Sequence, residues 1–379
     1  MAYGADQSYP VAPFSLLIRQ FHMVGSYTHF DQRVAQHVVA KPAKPSLLRR
    51  AAEEASVTFT TAAGTFSLGD YLDRHPATGL LIARGDTILF EHYRYARTDA
   101  DRFLSQSMAK TVTAMLIGIA VEEGRIRSID QLAADYVPAL AASEYGKTSI
   151  RDLLHMASGV AFVETYDGND DSARMGRLLF ARTNTSSAAV VASFDTRDAP
   201  PGTRFHYAGA ETEVLGLVLR QAAGMPLASY LEDRIWRKLG AEADASWTID
   251  STGQETGHCC LSVTLRDWAR FALMLAHDGA WNGQQIVPRQ WVLDATTVAA
   301  PWLAPGVASK FYGYGYQLWL LPGDRRQFAL LGIHGQAIFV DPGAHLVMVH
   351  TAVRVKPTGD PIAGEVVALW RAVVRRYGG

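Results

Sequence analysis

The strand-forming segments of this chain sit toward its two ends, with a long helical stretch between them, and that distribution restricts the fold more than any other feature. Gly79–Tyr95 divides into two β-rich runs around Gly85-Asp86, a length and turn chemistry that predict a hairpin. From Tyr312 the period changes again. Gly315–Leu320, Phe328–Leu331, Ala337–Val340 and Leu346–Thr351 read as strands separated by Pro-Gly-Asp and Asp-Pro-Gly turns. A hairpin alone is marginal in water, so the two groups are expected to share one antiparallel sheet. The fold class is therefore α+β, an antiparallel sheet flanked by helices with a mainly helical subdomain inserted.

The helical segments have readable ends. Ser107–Gly124 is apolar nearly all round, holds no proline and stops at a glycine, which predicts a buried helix with Ser107 at its N-terminus. Ser149-Ile-Arg-Asp152 and Thr264-Leu-Arg-Asp267 read as caps opening further helices, the second running to about His277. Glu211–Ala223 closes at Gly224, and a last helix is expected over roughly Ile362 to Arg375. Residues 1–77 are expected as a polar lead-in and a helix against the sheet, with Lys41–Pro45 as a break. Residues 78–110 and 256–379 form the sheet unit, and 111–255 the helical one.

Composition narrows the partners. Thirty-six Lys and Arg nearly cancel 37 Asp and Glu, so no electrostatic case exists for nucleic acid or an anionic membrane, and a small molecule fits better. The longest apolar run, near Thr113 to Val121, is too short to span a bilayer. The opening residues lack a basic start followed by an apolar core, and the expected compartment is the cytoplasm. Cys259 and Cys260, the only cysteines, are read as two small apolar side chains without a bridge. The sequence does not set an oligomeric state.

Ser107 and Lys110 carry the sharpest chemical signal. Three residues apart at a helix start, their side chains share a face and can meet. A serine hydroxyl is a poor nucleophile until a neighbour takes its proton, and a lysine can do so when burial lowers its pKa. No Gly-x-Ser-x-Gly elbow, His-Glu-x-x-His pair or phosphate-cradling loop competes with that reading, and no metal or cofactor is implied.

The surrounding segments Leu104-Ser-Gln-Ser107-Met-Ala-Lys110, Val121-Glu-Glu-Gly124 and Leu132-Ala-Ala-Asp-Tyr-Val-Pro138 resemble the serine β-lactamase and penicillin-binding-protein family, especially its class C-like esterase branch. Pro201-Gly-Thr-Arg-Phe-His-Tyr207-Ala-Gly209 resembles that family's second motif, with Tyr207 as its tyrosine and Gly209 where Asn or Ser is expected. Gln317-Leu-Trp319, Gly332-Ile-His-Gly-Gln336 and Phe339-Val-Asp-Pro342 are similar to the 6-aminohexanoate-dimer hydrolases on this fold.

That resemblance implies an acyl-enzyme hydrolase of short-chain esters or small linear amides. Ser107, Lys110 and Tyr207 would be catalytic, and the backbone amides of Ser107 and Ile333 would form the oxyanion hole. Tyr166 would contact the scissile nitrogen, Trp319 would be core or pocket wall, and His334 would be a strand histidine bonded near the site. These three are assigned to substrate binding, and Asp170 with Asp171 to a solvated turn. Leu330–Gly335 offers no lysine or arginine to a substrate carboxylate, which disfavours penicillins unless Arg325 or Arg326 reaches in. A β-lactamase or D,D-peptidase, or a non-catalytic binding protein on this fold, stays open as an alternative.

Overall fold

Residues 2–12, 16–180 and 185–379 are described by the computed structural model. Ala77–Arg84 and Thr87–Tyr93 pair antiparallel across Gly85-Asp86, as the turn chemistry requires. The neighbour of Ala77–Arg84 on its other side is Leu346–Ala352, so both ends of the chain meet inside one sheet. The full eight-stranded order is Gly313–Tyr314, Trp319–Leu320, Phe328–Gly332, Gln336–Asp341, Leu346–Ala352, Ala77–Arg84, Thr87–Tyr93 and Arg49–Arg50. Only the last pair is parallel.

Strand alternation explains the continuous apolar runs. Leu80, Ile82, Leu346 and Met348 face a core shared with Tyr71 and with Leu369 and Trp370 of the C-terminal helix Glu365–Tyr377. Leu81, Ala83, Val347 and Val349 face the opposite core, which includes the helices Ala109–Glu122, Gly209–Ala223 and Leu265–Ala276. With both faces covered, neither side of the strand can be polar. The caps at Ser149 and Thr264 form as expected, each accepting from the amide three residues on.

The sequence reading missed several elements. The first 77 residues hold strands Gln36–Val39, Arg49–Arg50, Thr58–Thr61 and Gly64–Ser67 besides the helices Gln20–Thr28 and Leu68–Arg74. Gln36–Val39 joins Ala245–Thr248, Leu261–Thr264 and Arg102–Leu104 in a second antiparallel sheet. These strands are too short for a periodicity to show.

Gly315–Leu320 is not one strand, because Gln317 turns at φ 58°. Its side chain donates to the Leu153 carbonyl (2.8 Å) and accepts from Thr212 (2.5 Å), needs that a straight strand cannot meet. Cys259 and Cys260 are also corrected: they are bonded to each other, S–S 2.09 Å, across a backbone turned by φ 70° at Cys260. Among the described residues no single helix is long and apolar enough to cross a membrane.

Gly118 lies in the buried helix where Trp291 crosses it, and Trp291 Nε1 donates to the Ala114 carbonyl at 3.1 Å. A Cβ at position 118 would stand 2.4 Å from the indole ring. Gly118→Val should therefore cost roughly 1–3 kcal/mol or more through overpacking, despite valine's better helix propensity. Urea unfolding should show a lower midpoint with an unchanged slope; a midpoint at or above that of the parent would refute this packing.

Candidate active site

The second sheet sets the position of Ser107. Its strand Arg102–Leu104 ends one residue before Ser105, whose amide donates to the Leu261 carbonyl (2.8 Å) and whose Oγ accepts from the Leu261 amide (3.0 Å). Gln106 then takes φ 47°, a left-handed conformation that a side chain tolerates only when held. Its amide nitrogen donates to the Tyr27 hydroxyl at 3.0 Å. Ser107 follows in a single 3-10 turn, Gln106–Met108, leading into the helix Ala109–Glu122.

Lys110 is in the first turn of that helix. Its Nζ donates to Ser107 Oγ at 3.0 Å and to the His258 carbonyl at 2.8 Å. His258 lies three residues before Leu261, so the same strand pairing delivers both partners of the lysine. The His258 ring donates from Nδ1 to the Glu213 carboxylate at 2.7 Å. Burial pushes the Lys110 amine down to about 8, against the opposing pull of the Glu164 and Glu213 carboxylates. An amine of that basicity, hydrogen-bonded to a serine hydroxyl, can take its proton near neutral pH.

Tyr207 stacks on Trp319 with ring centroids 5.4 Å apart, and Lys110 Nζ lies 5.3 Å from the phenol ring. Its hydroxyl is directed to Ser107, and burial holds it well above the usual tyrosine range, so it is a neutral proton donor. Gly209, two residues on, is explained by Glu164, which the sequence reading did not single out. Glu164 Oε2 accepts from the Gly209 amide at 2.5 Å, and a Cβ at position 209 would lie 3.3 Å from that oxygen. The place of a side chain is thus occupied by a carboxylate from another loop. Glu164 also accepts from the Tyr166 hydroxyl at 2.7 Å.

The remaining expected residues divide. Ser107, Tyr166, Tyr207, Trp319 and Ile333 border one cavity of about 720 Å³. Gly332, before Ile333, packs so closely on the turn before Ser107 that a Cβ would stand 2.7 Å from the Ser105 carbonyl oxygen. His334 does not border the cavity. It sits in a turn at φ 61°, buried, with Nδ1 donating to the Arg354 carbonyl at 2.7 Å and its ring edge-on to Tyr27. It is neither a strand histidine nor a cavity-lining one; with Tyr27 and Gln106 it ties the 333–335 turn to the Gln106–Met108 turn.

Asp170 is not solvated. It is 6% exposed and accepts from the amides of Thr165, Tyr166 and Ala173, fixing the Tyr166 loop. Arg325 pairs with Asp341, and Arg326 with Asp278, so both are engaged away from the cavity. Further cavity wall comes from residues 354–371, including Arg354 and Val367, which no motif had marked.

The sequence profile of the Beta-lactamase family matches residues 68–369. The chain belongs to the β-lactamase family. It is a hydrolase of that family, with the α+β architecture the motifs implied. A 6-aminohexanoate-dimer hydrolase from Paenarthrobacter ureafaciens is 30% identical over 277 residues, 71% of this chain and 70% of that protein. A solved structure described as a putative 6-aminohexanoate-dimer hydrolase from Bacillus anthracis superposes with a TM-score of 0.85 at 24% identity, covering 95% of this chain and 96% of that one. EstCE1, a hydrolase with promiscuous acyltransferase activity, matches at TM-score 0.65 and 16% identity over 80% and 96% of the two chains.

In this member of the β-lactamase family, keeping a buried amine near 8 instead of 10.5 costs the fold on the order of 3 kcal/mol at pH 7. Between those values the unfolded chain binds the extra proton, so the cost fades as pH rises and is gone above about 10.5. Lys110→Met, close in volume, should therefore raise Tm by a few degrees at pH 7 and by less at pH 10. A loss of Tm independent of pH would show that the lysine is not a strained, desolvated group.

Proposed function

We propose that this protein hydrolyses short-chain esters or small linear amides through an acyl-enzyme on Ser107. The observation that carries the reading is the 3.0 Å hydrogen bond between Lys110 Nζ and Ser107 Oγ, inside a buried site that keeps the amine weakly basic.

Neutral Lys110 takes the hydroxyl proton as Ser107 Oγ attacks the substrate carbonyl, forming the C–O bond and placing negative charge on the carbonyl oxygen. The amides of Ser107 and Ile333, on neighbouring turns at the cavity, stabilise that oxyanion. The proton moves through Tyr207 to the leaving oxygen or nitrogen as its bond to carbon breaks. Water, deprotonated by the same groups, then cleaves the acyl-serine ester and restores the hydroxyl. Tyr166 and Trp319 line the space for the leaving group and acyl chain.

Two carboxylates shape this chemistry. Glu164 and Glu213 raise the Lys110 pKa against the effect of burial, so their charge keeps the amine basic enough to accept the serine proton. Glu164 also holds Tyr166 and the start of the helix that follows Tyr207.

The test is to quench the enzyme during turnover of a slowly deacylated ester and map the adduct by mass spectrometry. The mass increase should fall on the peptide containing Ser107 and be absent from Ser107→Ala. An adduct on another serine, or none alongside normal turnover, would overturn the assignment; no turnover and no fluorophosphonate labelling would favour a non-catalytic binding protein.

A further inference from the structure

The strand pairing behind the 333–335 turn ends abruptly. Gln336–Asp341 and Leu346–Ala352 stay in register from Asp341 opposite Leu346 to Ala337 opposite His350, and the ladder stops there. Beyond that point the chain leaves the sheet to reach the turn that carries Ser107, with Gly335 at φ 96°. Two side chains take over from the ladder. Gln336 donates from Nε2 to the Ala352 carbonyl (2.7 Å) and accepts from the Ala352 amide (3.3 Å). His350 donates from Nδ1 to the Gly335 carbonyl at 2.8 Å. That carbonyl thus takes its hydrogen bond from a buried side chain instead of a strand amide.

The surroundings of His350 fix its ring. A carbonyl can only accept, so Nδ1 carries the hydrogen, and Nε2 of the neutral imidazole is left to accept from the Tyr71 hydroxyl at 3.1 Å. Burial keeps His350 neutral, and the Arg354 charge nearby acts in the same direction. The Tyr71 oxygen in turn accepts from the Arg354 guanidinium. Hydrogen bonds therefore run one way, from Arg354 through Tyr71 and His350 to the Gly335 carbonyl, and each acceptor becomes a better donor to the next. Tyr71, on the helix Leu68–Arg74, stacks on His75 with ring centroids 4.1 Å apart. His75 Nε2 donates to Glu365 at 2.9 Å, which ties the cluster to the C-terminal helix. Tyr71 and His350 are fully buried and neither borders the cavity, so neither touches substrate.

We propose that His350 is a positioning residue for hydrolysis: through the Gly335 carbonyl it holds the 333–335 turn in place, so that the Ile333 amide stays aimed at the substrate oxygen, and Tyr71 fixes the ring that does so. This role rests on the reading of the Ser107 and Ile333 amides as the donors to the oxyanion. A misplacement of about 1 Å at such a donor is enough for roughly a hundredfold loss of rate.

Hydrolysis of p-nitrophenyl butyrate, measured well below the melting temperature of each variant, tests this. His350→Leu, which removes both ring nitrogens, should lower kcat roughly tenfold to a hundredfold with KM within about twofold of the parent. His350→Asn, whose amide nitrogen stands where Nδ1 does, should recover most of that loss. A folded His350→Leu with the parent's kcat, a change in KM alone, or no recovery in His350→Asn overturns the positioning role. If His350→Leu does not fold by circular dichroism, Tyr71→Phe decides: a lower kcat at unchanged KM supports the role, and an unchanged kcat overturns it. Hydrogen–deuterium exchange of the segment 332–337 is read in the same proteins, because it does not depend on turnover. Exchange should be faster in His350→Leu and near the parent's in His350→Asn; equal exchange in all three overturns the role. Absence of turnover by the parent alongside the expected exchange pattern would overturn the hydrolase reading while supporting His350 as the brace of this turn.

Discussion

Two hydrogen bonds between Ser105 and Leu261 join the start of the turn that carries Ser107 to the segment that supplies the His258 carbonyl. Everything at the site depends on that junction. It brings Ser107 Oγ and a backbone oxygen to one amine, so a buried lysine has two acceptors for its N–H groups. The junction is itself a product of the small second sheet, whose strands come from four separated parts of the chain. The large sheet then contributes its own turn, Gly332–Gly335, which packs on the turn that carries Ser107 where Gly332 has no side chain. Two sheets thus converge on one serine.

How much of this was legible in the sequence follows from the range of the interactions. The hairpin, the buried helix after Ser107 and the caps at Ser149 and Thr264 are written in local patterns, and they stand where the patterns put them. Ser107, Lys110 and Tyr207 were visible through short motifs whose spacing is set by one turn or one helix. Glu164 was not, because its importance comes from Gly209, forty-five residues away in the chain, and only the fold reveals that a carboxylate fills the vacant side-chain position. His334 failed for the opposite reason. A polar residue between strand runs reads as a strand residue, whereas its positive φ and its bond to the Arg354 carbonyl make it a brace. The Cys259–Cys260 bond likewise depends on a backbone turn that no composition reports.

Cations near the cavity show the same limit in a functional setting. The strand that borders the site lacks lysine and arginine, and the two arginines nearest to it in sequence are bound to Asp341 and Asp278. The charged side chains on the cavity wall include Lys356 and Asp360 after the last strand and Arg371 of the C-terminal helix, segments with no motif of their own.

The account stands on one physical claim, that burial makes Lys110 a base near neutral pH. The most direct measurement is a pH titration of the Lys110 side chain by NMR in selectively labelled protein, with its signal assigned by loss in Lys110→Met. The account predicts a midpoint near 8, well below the exposed lysines in the same spectrum. A midpoint at or above about 10, with the amine still hydrogen-bonded to Ser107, would leave roughly one lysine in a thousand neutral at pH 7 instead of roughly one in ten, and contradict its role as the base.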